Sequence, residues 1–233
     1  MIVLGLVETA LELVPDEIVQ DASVVTSAKL RGKPPHQILL DEALHSKALQ
    51  TLPDSEKRGR PDIAHRSILT ALDSVLARED QLEVFIHTYS GSIIQISPGT
   101  RLPRRIARFI GLMEQLLVSK RVPIKGPPLI EVHQGTLETY LQRISPSTIY
   151  LLSHSGTPTS PARFAEQLIS EKKPVVLVGG FPHGTPVATL TKLVDHQLSF
   201  DPELLPTTTI VGMLIHSLEI ALDLPTQRFQ YQK

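Results

Sequence analysis

The alternation of short apolar runs with helical patterns constrains the fold of this chain more than any other feature. The apolar runs predict strands at 1–7, 82–87, 92–97, 129–133, 148–153, 174–178 and 196–200. Apolar residues at helical spacing predict helices at 63–76, 103–120, 137–144, 161–171 and 210–222. Because strands and helices alternate, we expect an α/β fold with a mostly parallel sheet covered by helices on both faces.

The stretch between the first strand and the second gives weaker signals. Residues 22–30 predict a short helix that Gly32 ends, and residues 37–40 predict a short apolar strand. Residues 41–52 suggest a loop with helical turns. The polar and charged stretch at 53–59 predicts a mobile loop that forms a basic lead-in to the next helix.

The composition excludes several classes of function. The 233 residues suffice for one large domain or two small ones. The chain has no cysteine, which excludes disulfides, thiolate catalysis and thiolate metal sites. A net charge of -1 gives no global sign of nucleic-acid binding, so any such role needs a local basic patch.

The apolar amino-terminal run MIVLGLVETALELV does not have the pattern of a targeting segment. It lacks the basic start and the cleavage site of a signal peptide, and Glu8 and Glu12 interrupt it. No apolar run in the sequence reaches membrane-spanning length. We therefore expect a cytoplasmic protein with no membrane partner.

The segment at 60–66 surrounds a predicted helix start with charged groups. Pro61 suits the first turn of a helix, because its missing N–H would have no partner there. Asp62 in the same turn is favoured by the positive end of the helix dipole. We expect Asp62 to hold Arg60, whose guanidinium then faces outward as a bidentate donor for a phosphate or a base edge. The alternative is an ordinary capped helix with surface charges.

Four arginines form the strongest basic patch in the sequence. They are spaced i, i+3, i+4 and i+7, and they are Arg101, Arg104, Arg105 and Arg108. This spacing places them on one face of the helix predicted at 103–120. No acidic residue relieves their mutual repulsion before Glu114, so a phosphate-binding role is favoured over a merely solvated helix face.

Three turns rich in glycine, serine or threonine lie next to predicted core elements, at 152–156, 178–184 and 207–212. Glycine in such turns permits φ > 0 and lets a ligand approach the backbone closely. The spacing Gly-Gly-x-x-x-Gly is not the dinucleotide fingerprint. Open α/β sheets bind ligands at the carboxyl ends of their strands, so the turns together predict one pocket there. The alternative is that each glycine only makes a turn.

Several motifs together resemble those of a known family. The motifs are RPDIAHRSILTALDS at 60–74, TRLPRRIARFIGLMEQLL at 100–117, VGGFPHG at 178–184 and ILLDEALHSKAL at 38–49. They are similar to motifs of the Nep/Emg family of ribosome-biogenesis methyltransferases. Members of this family belong to the SPOUT class and methylate N1 of a pseudouridine in small-subunit ribosomal RNA. The resemblance covers nearly the whole chain.

The resemblance implies a fold, a cofactor and partners. It implies one SPOUT domain over 1–233, with a deep trefoil knot and the cofactor region at 148–222 and RNA-binding elements at 57–120. The implied cofactor is S-adenosyl-L-methionine, and no metal is implied. The implied partners are small-subunit (16S) rRNA, a second copy of the chain in a homodimer, and other ribosome assembly proteins.

The resemblance also implies roles for individual residues. Arg60 would contact the target nucleotide and Asp62 would hold it, so these two are the implied catalytic residues. The implied RNA-binding residues are Arg60, Arg101, Arg104 and Arg108, with Arg105 auxiliary. The implied cofactor-binding residues are Leu152, Gly179, Gly184, Thr185, Pro186, Thr207, Thr208, Thr209, Ile210, Val211 and Gly212. The last loop departs from the family's usual Asn-Tyr-Pro-Leu-Ser, so backbone contacts are expected there.

The N1 proton of pseudouridine needs an acceptor, and the sequence offers several. Pairing with arginine lowers the pKa of a carboxylate, so we expect Asp62 to orient Arg60 and not to act as the base. His65 lies one helical turn from Asp62 and is another candidate. His154 and His183 lie in the predicted pocket loops. Each histidine has a purely structural role as its alternative.

Two other functions stay open at this point. One is a non-catalytic assembly factor or RNA chaperone that binds pre-ribosomal RNA. The other is a different SPOUT enzyme acting on tRNA, which the motif Arg60-Pro61-Asp62 disfavours.

Overall fold

The computed structural model describes residues 1–230. Its strands are β1 (Ile2–Thr9), β2 (Leu82–Thr88), β3 (Ile93–Ile96), β4 (Arg121–Val122), β5 (Ile130–His133), β6 (Ile149–Pro158), β7 (Val175–Gly179) and β8 (His196–Ser199). Its helices are α1 (Ala22–Arg31), α2 (Glu42–Leu49), α3 (Pro61–Leu72), α4 (Val75–Arg78), α5 (Ile106–Ser119), α6 (Leu137–Ile144), α7 (Pro161–Ile169), α8 (Ala188–Thr191), α9 (Thr207–Ala221) and α10 (Leu224–Gln230).

The strands form one sheet in the order β4-β5-β3-β2-β1-β7-β6-β8. The five strands from β2 to β8 in this order pair in parallel, whereas β2-β3, β3-β5 and β5-β4 pair antiparallel. The predicted mostly parallel α/β sheet is therefore confirmed. The antiparallel wing arises because Tyr89-Ser90-Gly91 connects β2 to β3 as a hairpin, which the sequence also predicted.

The sheet is covered on both faces because its central strand β1 carries apolar side chains on both faces. Every residue of β1 is buried. Alternate residues enter two separate clusters, with Leu4 and Leu6 on one side and Val3 and Val7 on the other. The first cluster includes α3, α5, α7 and α9, and the second includes α6 and α8. The expectation of helices on both faces is thus confirmed.

The predictions for 37–59 were partly wrong. Residues 37–40 do not form a strand of the sheet. Leu39 makes only an isolated bridge to Leu13, because its N–H donates instead to Glu114 Oε1 at 3.1 Å. The loop with helical turns expected at 41–52 contains a helix, α2, whose first turn is capped by the side chain of Asp41.

The prediction of a mobile basic loop at 53–59 was also wrong. Residues Ser55–Lys57 form a 3-10 turn, and both Lys57 and Arg58 are buried. Each is paired with a buried carboxylate on or just after β1, Lys57 with Glu8 and Arg58 with Glu12. A charged composition indicated exposure, but buried ion pairs keep this segment against the core.

The helix predicted over 63–76 has Pro61 and Asp62 in its first turn, as expected, but it is broken before residue 76. α3 begins at Pro61 with Arg60 as its N-cap residue, and it ends at Leu72. Ser74 then caps the separate short helix α4, and its side chain accepts from the N–H of Ala77. Within the described part of the chain, no single helix is long and apolar enough to cross a membrane, although α9 and α10 taken as one bent pair satisfy length and composition.

Candidate functional site

One cavity lies where the carboxyl ends of the parallel strands meet the first turns of α3 and α9. Its volume is about 560 Å³, within the usual range for small-molecule sites. Its walls come from the starts of both helices, from residues 152–154 within β6, and from the ends of β7 and β8 with the segments that follow them. The predicted pocket at this edge of the sheet is therefore present, as expected for an open α/β sheet.

Arg60 and Asp62 line this cavity and form the predicted ion pair. Arg60 Nε donates to Asp62 Oδ1 at 2.8 Å, and Nη2 donates to Oδ2 at 3.0 Å. The arginine side chain is 35% exposed and the aspartate side chain is 26% exposed. The bidentate pair fixes the plane of the guanidinium while leaving the group accessible from the cavity.

The pair also sets the protonation state of both groups. The hydrogen bond from Arg60 holds the pKa of Asp62 below the ordinary value of an aspartate. The same hydrogen bond raises the pKa of Arg60. At neutral pH the site therefore presents a fixed cation supported by an ionised carboxylate, and Asp62 is a weak base.

Two hydrogen bonds connect the first turn of α9 to the end of β7 and to the middle of α3. Thr207 Oγ1 donates to the carbonyl of Gly179 at 2.8 Å. Ser67 Oγ on α3 and Thr208 Oγ1 on α9 are 3.2 Å apart. These contacts keep α3, which carries Arg60 at its start, beside the glycine loop.

The predicted cofactor residues divide into two groups. Those that line the cavity are Leu152, Gly179, Gly184, Pro186, Thr207, Thr208 and Ile210. Thr185, Thr209, Val211 and Gly212 do not line it. Val211 is fully buried in the core, and the position of Gly212 faces Thr70 of α3. The helical period explains the division for residues 207–212, because α9 begins at Thr207 and only part of its first turns faces the cavity.

Gly184 has a backbone that favours glycine. Its φ is +95°, in the left-handed region that other residues rarely adopt. A Cβ built there would lie 3.0 Å from Cε of Lys57. Both features allow the loop after β7 to fold back against the buried lysine.

One wall of the cavity was missed by the sequence predictions. It follows β8 and comprises Phe200, Asp201, Glu203, Leu204 and Leu205. The strand at 196–200 was predicted, and the rule about carboxyl ends of parallel strands would have extended the site to the residues after it. Phe181, Ile63 and Arg66 are further lining residues that the sequence did not single out.

The four arginines do not share a helix face, which corrects that prediction. α5 begins at Ile106, so Arg101 and Arg104 precede it and Arg105 is its N-cap residue. All four are exposed. Pro103 was taken as the first helical residue, but its carbonyl accepts a hydrogen bond from His65 Nε2 at 2.7 Å. That contact and the burial of Leu102 hold the segment before α5 in a non-helical path.

The arginine segment, Arg101 to Arg108, concentrates positive charge at the start of a helix. Its positive charges lie at the positive end of α5, whose first turn contains no acidic residue. Arg104 pairs with Asp73 at 3.1 Å, and both line a second cavity of about 520 Å³ with Arg101. Exposed guanidinium groups beside free helical N–H groups form a surface suited to anions.

The histidine candidates differ in placement. His65 is buried, donates to the Pro103 carbonyl and packs against Phe109 with ring centroids 4.6 Å apart. Its ring joins α3 to the arginine segment, in agreement with the structural alternative, and it does not line the main cavity. His154 and His183 are exposed and line that cavity.

Comparisons with known proteins agree with this arrangement. The family model described as EMG1/NEP1 methyltransferase matches residues 4–219. The chain is 43% identical over 212 residues to the ribosomal RNA small subunit methyltransferase Nep1 of Pyrococcus furiosus. The aligned region covers 91% of this chain and 93% of that protein. It is 40% identical to the Nep1 of Thermococcus kodakarensis, over 96% of this chain and 100% of that protein.

A solved structure gives the same result. The crystal structure of Archaeoglobus fulgidus Nep1 bound to S-adenosylhomocysteine superposes with a TM-score of 0.85 at 30% identity. The superposition covers 95% of this chain and 98% of that chain. Because the family model and the relatives span nearly the whole sequence, this chain belongs to the EMG1/NEP1 methyltransferase family.

Proposed function

We propose that this protein transfers a methyl group from S-adenosylmethionine to N1 of a pseudouridine in small-subunit ribosomal RNA. The observation that carries the proposal is the cavity at the carboxyl edge of the sheet that Arg60, Asp62 and the glycine-rich turns line together. The Nep1 relatives are named small-subunit rRNA methyltransferases, which supports the substrate class. Pseudouridine N1 follows from the family resemblance of the motifs at 60–74 and 100–117.

The residues of the cavity fit an adenosine-containing cofactor. Leu152, Val178 and Ile210 supply apolar surface. The end of β7 at Gly179 and the following loop, which contains Gly184, bring backbone N–H and C=O groups to the same space. The solved Archaeoglobus protein binds S-adenosylhomocysteine, the product of such a cofactor. We propose that the cofactor-binding set is the cavity-lining group, with Thr185, Thr209, Val211 and Gly212 supporting it from behind.

When bound, the cofactor supplies an electrophilic methyl group on a sulfonium, and N1 receives the methyl as its proton is lost. The protein has to aim N1 at the methyl group and stabilise the negative charge that develops on the base. Positioning alone contributes several kcal/mol of barrier reduction, up to about 10 kcal/mol in the best cases. Arg60 is placed to stabilise that charge with donors already oriented before the reaction.

Asp62 acts in this proposal by orienting Arg60. Its pKa is lowered by the hydrogen bond from Arg60, so it is poorly suited to accept the N1 proton. His154 and His183 are exposed cavity residues, and the proton acceptor is either one of them or water. His65 is excluded from this role by its burial and by the donation of its Nε2 to Pro103.

We propose that the arginine segment, Arg101 to Arg108, binds the RNA backbone. Arg101, Arg104 and Arg108 are exposed guanidinium groups around the start of α5. Their repulsion at a helix N-terminus is relieved when phosphates approach. The target base has to leave its stack to reach Arg60, which favours a loop or hairpin in the RNA.

The remaining expectations join the proposal without being needed for the chemistry. They are a single domain over 1–233, a trefoil knot at 148–222, RNA-binding elements at 57–120, a homodimer, contacts with other assembly proteins, and a cytoplasmic location. Residues 231–233 of that domain lie outside the described part of the chain.

The test uses purified protein, labelled S-adenosylmethionine and two rRNA hairpins that differ only in uridine or pseudouridine at one position. We expect label on the pseudouridine hairpin alone. Transfer to the uridine hairpin would contradict the assignment of pseudouridine N1 as the methyl acceptor. RNA binding without any transfer would favour the assembly-factor alternative. With tRNA added as a third substrate, transfer to tRNA alone would favour a different SPOUT enzyme.

A further inference from the structure

A buried ion pair joins the segment before Arg60 to the loop after β7. Lys57 Nζ lies 3.0 Å from Glu8 Oε2, and the two side chains are 9% and 8% exposed. Neither group is part of the methyl-transfer chemistry proposed above. Burying two charges is unfavourable unless each is well satisfied by partners, so such a pair requires a reason.

The carboxylate of Glu8 is satisfied at both oxygens. Oε2 accepts from Lys57, and Oε1 accepts from the backbone N–H of Val187 at 2.8 Å. Glu8 lies near the carboxyl end of β1 with φ +48°, in the left-handed region. A non-glycine residue in that region carries backbone strain, which persists only where surrounding contacts hold it.

The ammonium of Lys57 has two further partners in the same loop. It donates to the carbonyl of Thr185 at 2.5 Å. It also lies 4.9 Å from the centroid of the Phe181 ring, at cation–π distance. The pair therefore holds the loop at Phe181, Thr185 and Val187, which are three points on either side of the left-handed Gly184.

The other end of this connection is the segment that carries Arg60. Lys57 is three residues before Arg60, and Arg58 between them is held by both oxygens of Glu12 at 2.7 and 3.0 Å. The carbonyl of Gly59 accepts from the N–H of Glu42 at 2.8 Å. The backbone from Lys57 to Arg60 is thus fixed against β1 and α2 along its length.

We propose that Glu8 and Lys57 are positioning residues that fix the loop 181–187 relative to Arg60. The inference rests on the proposed function, because it assigns the loop to the cofactor and Arg60 to the target base. The pair contacts neither reactant in this proposal. It sets the distance between the two halves of the site, on which an in-line transfer depends.

The experiment measures three properties of the full-length protein. These are S-adenosylhomocysteine affinity by calorimetry, the single-turnover methyl-transfer rate at saturating RNA and cofactor, and the melting temperature. The variants are Lys57→Met, Glu8→Gln and the double variant. Lys57→Met keeps the apolar stem and removes the charge, and Glu8→Gln keeps an acceptor for the Val187 N–H.

The matched control is Glu114→Gln. Glu114 is also a buried carboxylate in an ion pair, with Arg31 and Lys33, and it contacts neither cavity loop. Like Lys57→Met it removes one charge from an ion pair that has a buried carboxylate, although Arg31 and Lys33 are partly exposed, so we expect both variants to lower the melting temperature. Only the Lys57 variant should lose S-adenosylhomocysteine affinity, by about fivefold or more, and turn over more slowly at saturation.

The double variant separates positioning from stability. With both charges removed, no unpaired charge remains buried, so the melting temperature should recover relative to Lys57→Met. The affinity and the rate should stay low, because the Thr185 carbonyl still lacks its donor. Double-variant protein with wild-type affinity and rate would overturn the inference, as would Lys57→Met that changes only the melting temperature. Wild-type protein that neither binds S-adenosylhomocysteine nor transfers methyl would overturn the proposed function and this inference together.

Discussion

Two basic segments precede helices in this protein, and they differ in how their charges are compensated. The first segment, Lys57 to Arg60, leads into α3 and has a carboxylate partner for each cation. The second, the arginine segment, leads into α5 and has only one ion pair in the described structure, from Arg104 to Asp73. A carboxylate that pairs with a cationic side chain fixes that side chain in place. Exposed cations without such a partner remain available for an anionic ligand.

The two segments are suited to different roles. A fixed guanidinium such as Arg60 suits a step that needs orientation, because its donors are already aimed before the charge develops. Exposed arginines suit phosphate binding, which is tolerant of geometry and sensitive to salt. We therefore expect variants in the first segment to act on the methyl-transfer rate and variants in the second to act on RNA affinity.

The largest effect is expected for Arg60→Ala. Loss of one oriented donor at a developing negative charge costs about 100-fold or more in rate. S-adenosylhomocysteine affinity should stay close to that of the wild type, since the proposed function assigns Arg60 to the target base and not to the cofactor. The measurements are single-turnover kinetics and calorimetry. Arg66→Ala is the control, because Arg66 also approaches Asp62, at 3.6 Å, but its side chain is 70% exposed.

Asp62→Asn should have a smaller effect, about tenfold in rate, because the amide oxygen still accepts from Arg60 but the ionic component is lost. The pH dependence of the rate above neutrality should be unchanged. A variant without any activity, or with a shifted pH profile, would instead make Asp62 the base.

The stability of the same variant has a defined pH dependence. The pKa of Asp62 is lowered in the folded protein, chiefly by the hydrogen bond from Arg60. The contribution of the ionised carboxylate is therefore present above the unfolded-state pKa of about 3.9 and is lost as the pH falls through the folded-state pKa. The melting temperatures of wild type and Asp62→Asn should converge only at acidic pH. A difference that stays constant through the acidic range would contradict this pairing.

Arg101→Ala should weaken RNA binding by a few-fold and lower the slope of log affinity against log salt by about one. Filter binding of a hairpin at several salt concentrations measures both. Arg163→Ala removes an equally exposed charge from α7, outside both cavity linings, and should leave the slope unchanged. Equal slopes for wild type and Arg101→Ala would remove this arginine from the RNA interface.

The smallest effect on the rate is expected for His65→Ala. The variant loses the hydrogen bond to Pro103 and the contact with Phe109, which should lower the free energy of unfolding by about 2 kcal/mol. The single-turnover rate at saturating RNA should not change. Chemical denaturation and kinetics test the two statements. The control is His154→Ala, at an exposed cavity position, which should leave the stability unchanged. A loss of rate in His65→Ala but not in His154→Ala would instead identify His65 as the base.

The sequence predicted those features that depend on local pattern. Apolar runs and helical periods were sufficient for seven of the eight described strands and for the longer covering helices, but not for the two-residue strand β4 or the short helices α8 and α10. The pairing of Arg60 with Asp62 was predictable because Pro61 identified the helix start between them. The common cavity followed from the rule that parallel strands present their carboxyl ends at one edge.

The errors came from contacts between distant parts of the chain. Lys57 and Arg58 are buried only because Glu8 and Glu12, about 50 residues earlier, provide partners, and composition alone indicated an exposed loop. The start of α5 was placed too early because the donor to the Pro103 carbonyl is His65 on another helix. Such long-range partners override local helix signals.

The central claim is that Arg60 acts in the chemical step and Arg101 in RNA binding. The most direct test is the single-turnover methyl-transfer rate of Arg60→Ala and Arg101→Ala as the pseudouridine hairpin is raised to saturation. The account predicts that Arg101→Ala reaches the wild-type rate at high RNA, whereas Arg60→Ala stays about 100-fold slower at every concentration. Recovery of Arg60→Ala at saturating RNA, or a persistent rate defect in Arg101→Ala, would contradict it.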